Sequence, residues 1–591
     1  MLEFLAVMKK PLLRFVSLAL LAALSPLAAR SQEAPAQPTA TQVFGELVHV
    51  EIINIDVYVT DKHGAPIHGL TKDDFLLFVD GKAAPISNFY AIASAAEEPT
   101  ERRDPLAPEA DPIASPADEG TTTRPERPSD QRLYVVVYID NFNLTPGNRN
   151  RVLRELRLFL NRELNPDDQV MLASYDRSLH LRHPFTSNHQ QISRALLELE
   201  DISAHRVHRD RERQDLIAMV NDVDFQHKRD DEGVGYSEGV ALNQLQAYAG
   251  SVRNDMHYTI DSLSKVVESL AGSPGRKALV YVSDGIPMIA GEDIFYFVNQ
   301  RFERSVSLLS LTEFNLSRRF QELAAKANAN RVSFYTIDAR GLTVGSSGTI
   351  DQANPGEAGQ QAFLDSVWVN NLQQPLQLMA EETGGKAIIN TNRFLPDLLE
   401  MGSDFENYYS LGFSPQTAGD GQYHDIEVKL KSPKGKKIRH RSGYRHKSTE
   451  SQMIEGTLSA LNLDLQDNPL RAEVRFGLPK RRSDGNFDIP IHLQVPFDQL
   501  TLLEQDGTYY GQLRVWFAAK DERDRSTEAH EIPVDIRIPS DRISETEGRT
   551  YTYSLELVME SGYHDFAVGM RDELGARQAF LRRGIDVGGE S

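Results

Sequence analysis

The chain has 591 residues, 40% of them hydrophobic and 25% charged, with 39 glycines and 29 prolines. At ~100–200 residues per domain it holds several folding units, and its composition excludes collagen-like, coiled-coil and wholly disordered proteins. Asp and Glu number 85 against 64 Lys and Arg; the formal charge of −21 repels phosphate backbones, so no nucleic-acid partner is expected. Cysteine is absent, which removes disulfides, thiolate metal sites and cysteine nucleophiles.

Lys9, Lys10 and Arg14 precede an apolar stretch from Phe15 to Leu27, and Ala29 and Ser31 supply the small residues of a cleavage point. Residues 1–31 read as a secretory signal peptide, because the apolar run is shorter than the ~20 residues of a spanning helix. The mature chain is expected to be secreted or periplasmic, with no stable membrane insertion after signal cleavage.

Residues 45–95 are expected to form a small N-terminal β segment. Apolar residues alternate from Val48 to Thr60, with a phase change at Ile53-Asn54 that suggests a bulge. Phe75 to Val79 reads as a second strand closed by the hairpin signal Asp80-Gly81, and Ile86 to Tyr90 as a third. Residues 96–131 are rich in proline and almost free of large apolar side chains, the signature of a disordered linker.

From 132 to 446 the pattern is that of a doubly wound, Rossmann-like α/β domain. Leu133 to Ile139 is continuously apolar, as in a strand buried on both faces, and Asp140 ends it. Thr145-Pro146 then starts a helix whose Val152, Leu153, Leu156, Phe159 and Leu160 share one face. Strands are predicted at Val170 to Ser174, Ala278 to Ser283, Val332 to Ile337, Lys386 to Ile389 and Tyr408 to Phe413. Helices are predicted at Ile192 to Leu199, Tyr258 to Leu270, Arg319 to Ala327 and Leu372 to Glu382. Insertions near 205–255 and 341–365 interrupt this order and are expected at the rim of the sheet. Beyond Tyr444 the helical period vanishes, and alternating runs such as Ile532, Val534, Ile536 and Ile538 predict a C-terminal all-β sandwich over 451–591.

Open α/β sheets bind ligands beyond the carboxyl ends of their strands, where strand order reverses. Asp140, Asp284 and Asp338 each close a predicted strand, and the first two are expected to share one edge. Carboxylates gathered there repel unless a hard cation or N–H donors compensate them, which makes Mg²⁺ the candidate cofactor; each aspartate alone equally suits a loop or helix cap.

The strand ending in Asp140, together with Tyr281-Val282-Ser283-Asp284-Gly285, resembles the von Willebrand factor type A (VWA) domain, and more closely the bacterial VWFA-related domain first catalogued in acidobacteria. The likeness extends through Asp56 to Gly64, Gly69 to Phe75, Asp80-Gly81-Lys82, Tyr335 to Leu342, Thr383-Gly384-Gly385, Tyr408 to Phe413 and Arg441 to Tyr444. It implies a VWA-like fold and a non-enzymatic role in binding an as yet unidentified protein partner. VWA metal sites use an Asp-x-Ser-x-Ser loop with a distant Thr and Asp; this chain reads Asp140-Asn141-Phe142-Asn143-Leu144, with apolar residues at both serine positions. The resemblance therefore implies a degenerate adhesion site onto which only Asp140 and Asp284 carry over directly; with Asn141 or Asn143 as amide-oxygen substitutes read from the residues themselves, Asp140, Asn143 and Asp284 are the candidate metal ligands and Asn141 and Asp338 the candidate binding residues.

Gly235-Tyr236-Ser237-Glu238-Gly239 matches a nucleophile-elbow pattern without the buried strand that should precede it. His205 and His208 lie among Arg206, Arg209, Arg211 and Arg213, cations that oppose metal capture, and the segment reads as a solvated helix face. The leading reading is an exported VWA-type interaction module with no catalytic residues. The alternatives are a metal-free envelope scaffold and a secreted hydrolase acting through Ser237.

Overall fold

The computed structural model describes residues 52–93, 132–227, 234–273, 275–301, 308–342, 355–415, 419–523 and 525–588. The segments expected to be a signal peptide, 1–31, and a linker, 96–131, and residues 343–354 of the second insertion lie outside the described residues.

Four strands come first: β1 (Ile53–Asp61), β2 (Phe75–Val79), β3 (Lys82–Ala84) and β4 (Asn88–Ile92). Asp80 and Gly81 turn the β2–β3 hairpin with φ of 49° and 74°, a left-handed pair that Asp and Gly tolerate. Next come β5 (Leu133–Asp140), α1 (Pro146–Arg162), β6 (Gln169–Tyr175), β7 (Leu179–Thr186), α2 (His189–Leu199), α3 (Arg206–His227) and α4 (Val234–Ser269). The chain continues with β8 (Arg276–Ser283), α5 (Glu292–Arg301), α6 (Ser317–Ala329), β9 (Val332–Asp338), α7 (Pro355–Glu382), β10 (Lys386–Ile388) and α8 (Phe394–Glu406).

Six of these strands form one sheet in the order β10-β9-β8-β5-β6-β7, parallel throughout except for the antiparallel edge pair β6/β7. The chain enters at the centre on β5, winds outward through β6 and β7, then returns to β8 on the other side of β5. The order therefore reverses between β5 and β8, the place where such sheets leave a crevice. Alternate residues of β5 serve two cores. Val136 and Tyr138 face a cluster built from α3 to α7, while Val135, Val137 and Ile139 face one built from α1, α2 and α8. Burial on both faces explains the unbroken apolar run.

After α8 come β11 (Tyr408–Phe413), β12 (Tyr423–Leu430), β13 (Lys436–His440) and β14 (Gly443–Arg445). They leave the parallel sheet and pair with the first four strands, giving sheets β13-β1-β11-β4 and β14-β12-β2-β3 around one apolar cluster that includes Val57, Phe75, Leu411 and Val428. The described strands of the expected N-terminal segment, β1 to β4, are thus half of a β unit completed by residues 408–445, because four short strands cannot bury both sides of a core alone.

The C-terminal region opens with a helix, α9 (Thr449–Leu463), capped by the Ser448 side chain accepting from the Ser451 N–H. No helix is expected here from the sequence; the buried face of α9 mixes Met453 and Leu461 with the small residues Gly456, Thr457, Ser459 and Ala460. The strands that follow are β15 (Glu473–Phe476), β16 (Lys480–Arg481), β17 (Phe487–Pro496), β18 (Leu503–Gln505), β19 (Thr508–Asp521), β20 (His530–Pro539), β21 (Thr550–Met559), β22 (Gly562–Asp572) and β23 (Arg577–Val587). They form two antiparallel sheets, one around β17 and one around β19 and β22, which share a core. The outer face of the second sheet buries Trp516, Ala518, Ala567 and Phe580 under α9. Among the described residues no helix is long and apolar enough to cross a membrane.

Candidate functional site

Parallel pairing places Tyr138 beside Tyr281 and Ile139 beside Val282, and Ser283 beside Asp338. Asp140, Asp284 and Asp338 therefore leave the sheet along one edge. All three are fully or almost fully buried. The Asp284 N–H donates to the Asn143 carbonyl at 3.0 Å, and the Ala339 N–H to the Ser283 carbonyl at 2.8 Å, so the three strand-end loops are stitched to one another.

Asp140 caps a single turn, Asn141 to Asn143, by accepting from the Asn143 N–H at 3.1 Å. Its other oxygen accepts from Asn143 Nδ2 at 2.8 Å and from the Tyr281 hydroxyl. Burial pushes the Asp140 carboxyl above its usual range, opposed by these hydrogen bonds, and pushes the Tyr281 phenol well up. Asp284 accepts from the Thr145 N–H at 2.8 Å and from Asn148 Nδ2 at 2.9 Å; burial again raises its carboxyl, against the opposing charge of Arg206. Asp338 takes both arms of Arg340, at 2.9 and 2.7 Å, and Gln373 Nε2 at 2.9 Å.

The charged insertion supplies what the acids lack. Arg209 Nη1 donates to Asn143 Oδ1 at 2.6 Å, its Nη2 pairs with Asp255 at 3.2 Å, and its guanidinium lies 4.6 Å over the Phe142 ring. Arg206, 4% exposed, donates to the carbonyls of Asp284 and Gly285 at 3.1 and 2.7 Å. Arg213 binds Asp293 at 2.6 Å. Arg206, Arg213 and Arg340 also surround the Trp368 ring, at 5.8, 4.9 and 5.4 Å from its centroid. This corrects the reading of the segment as a solvated face. His208 and Arg211 are exposed, but Arg206, Arg209 and Arg213 turn inward. Their spacing of three and four residues, with Leu216 and Val220 buried farther along the same face, is the signal that marks them. Thr259 of α4 also reaches the edge, with its hydroxyl 3.5 Å from Asn143 Nδ2.

These residues do not fit a divalent cation. A metal needs oxygen lone pairs turned toward a shared point. Here both oxygens of Asp140 and both of Asp284 accept from protein donors, Asn143 Oδ1 accepts from a guanidinium, and Asn141 Oδ1 accepts from Arg149 Nη1 at 3.1 Å. Asn141 otherwise presents Nδ2, a donor that repels cations. Among the described residues no group of three or more His, Asp or Glu side chains is arranged to hold a metal. The cavity left between Arg206, Arg209, Arg213 and Trp368 is about 30 Å³, space for one water. Ser237 lies within α4, in helix and not at a strand-to-helix elbow.

No family model matches the chain, and no curated protein matches it. Solved structures give partial likenesses. An aerotolerance-related membrane protein from Bacteroides fragilis is 12% identical, covering 46% of this chain and 98% of its own, with a TM-score of 0.22. The conserved hypothetical protein BatB from Bacteroides thetaiotaomicron is 11% identical over 46% of this chain and 96% of its own, with a TM-score of 0.21. The SpRpn10 VWA domain is 10% identical over 45% of this chain and 94% of its own, with a TM-score of 0.19. At scores this low the likenesses carry no argument, and the α/β architecture stands on its own strand order.

Proposed function

We propose that this chain is an exported, non-enzymatic interaction module of VWA type that docks a protein partner on its strand-end rim without a divalent ion. The observation that carries this reading is that every side-chain oxygen of Asp140, Asn143 and Asp284 already accepts from a protein donor, Arg209 among them, so none is left turned toward a shared open point for a metal and a bridging ligand. Arg209 neutralises in place the charge that a cation would otherwise balance. The loops keep fixed positions through backbone bonds between them, as a recognition rim on a rigid scaffold requires. The reading assigns no catalytic residue. Export rests on the signal peptide at 1–31.

Two measurements test it. Calorimetry of the full chain with Mg²⁺ and Mn²⁺ is expected to give no saturable heat; saturable heat that disappears in Asp140→Ala overturns the metal-free reading. Capture of a partner from an envelope fraction is expected to survive EDTA and to be lost in Gly147→Arg, a rim position where an added side chain meets nothing within 4 Å. Capture indifferent to that substitution removes the rim as the docking surface.

A further inference from the structure

The opposite end of the parallel sheet holds a different constellation. A cavity of about 260 Å³ opens below the first residues of β8 and β9, walled by the end of α4, the start of α9, β14 and β23. Its lining includes five basic side chains, Lys277, Arg331, Arg441, Arg445 and Lys447, and two acidic ones, Glu455 and Asp467. In a chain with a formal charge of −21, that local excess of cations runs against the composition.

The acids are not available to balance it. Glu455 is taken by Lys447 at 2.6 Å, and Asp467 faces Arg132, whose charge lowers its carboxyl against the upward pull of burial. Lys277, 5% exposed, has one hydrogen bond, to the Asn330 carbonyl at 3.1 Å. Arg441 donates only to the carbonyls of Asn328 and Asn54, at 3.3 and 2.8 Å, and its buried Nε has no partner. Among the described residues neither the buried Lys277 nor the half-buried Arg441 has a carboxylate partner, and Arg331, which is exposed, lines the same cavity. The Ser273 hydroxyl, in a residue 5% exposed, lines the same cavity and is also unpartnered. Burial, together with the charges of Arg331 and Lys447, pushes the Lys277 amine well below its usual range, against the opposing charge of Glu455, so an anion in the cavity would favour its protonated form.

Buried charges persist where something pairs with them, and like charges converging on a polar cavity are the recognition pattern for an opposite charge. We infer that this cavity binds a small multivalent oxyanion, held by Lys277, Arg331 and Arg441 with Ser273 as a neutral donor. The space suits such a ligand. It is smaller than the ~300–1,000 Å³ of clefts for drug-sized molecules and large enough for several waters of ~30 Å³ each, hence for a phosphate, a diphosphate or a compact polycarboxylate.

The experiment is calorimetry on the full chain with inorganic phosphate, pyrophosphate and citrate, at ionic strength held constant with sodium chloride. Saturable binding of at least one of these anions is expected, and the ranking of pyrophosphate against citrate separates phosphate from carboxylate chemistry. Lys277→Met and Arg331→Gly should each weaken it by about tenfold or more, the worth of a charged hydrogen bond. Arg331 has φ of 57°, a backbone glycine adopts freely, so this second variant keeps the fold even if the buried one does not. Heat that fails to saturate with all three anions, or saturation unchanged in both variants, overturns the inference.

Discussion

The two ends of the central sheet bury charge in opposite ways. At the carboxyl ends of β5, β8 and β9, three aspartates are enclosed and each accepts at least two protein hydrogen bonds, with Arg206, Arg209 and Arg340 close by. At the amino ends of β8 and β9, the buried Lys277 and half-buried Arg441 face a cavity without carboxylate partners, beside the exposed Arg331. The first arrangement is closed and serves to hold loops in place. The second is open, and an open buried charge is the kind that awaits a ligand. The contrast teaches that a cluster of acids at a crevice is not by itself a metal site; what decides is whether its oxygens are already turned to protein donors.

The comparison can be broken most sharply at Arg209. Arg209→Ala leaves Asp255 and Asn143 Oδ1 without their donor at a mostly buried position, and urea unfolding should show a loss of about 3 kcal/mol. Next is Gly285→Ala. The residue sits at φ +89°, and a Cβ there would lie 2.8 Å from Leu372 Cβ, so the loop that carries Asp284 must shift, at about 2 kcal/mol in the same assay. At the other end the sign should reverse. Lys277→Met removes an amine whose charged form burial disfavours and should raise the urea-unfolding free energy by ~1 kcal/mol in anion-free buffer; a fall would mean that the amine is already satisfied.

A pH series sharpens the acidic end. Because burial raises the Asp140 carboxyl, the folded state holds its proton more tightly than the unfolded chain does. Its contribution is full below the ordinary carboxylate value of ~3.9 and is lost as pH rises through the raised one. Thermal midpoints of wild type and Asp140→Asn should therefore diverge in slope on the acid side of neutrality, and parallel curves would show that the proton is not differentially bound. The smallest effect is expected from Gly147→Arg, with stability unchanged to within ~0.5 kcal/mol, which makes it a clean probe of the rim.

Much of this architecture is legible in the sequence because buried parallel strands are locally encoded. The apolar runs ending in Asp140, Asp284 and Asp338 mark β5, β8 and β9, and a shared edge follows from parallel pairing. What stays hidden is partnership over distance. Arg206 and Arg209 look solvated because charged residues usually are, and only the fold brings them to carbonyls and amides more than sixty positions away. The same is true of the β unit: alternation in Ile53–Asp61 predicts a strand but not that Phe413 and His440 flank it. The helix α9 is harder to read because small polar and glycine positions interrupt its buried face between Met453 and Leu461; Gly456 abuts the Phe580 ring so closely that a Cβ would come within 2.2 Å.

That β unit also sets a timetable. Tyr409 binds the Ile67 carbonyl across 342 positions of chain, so the first strands emerge long before the strands that complete them. At ~5–20 residues per second, synthesis leaves β1 to β4 without their neighbours for roughly 20–70 s. Over that interval the amino-terminal segment offers exposed strand edges to whatever holdase or translocation machinery is at hand, and its closure is a late event in the life of each molecule.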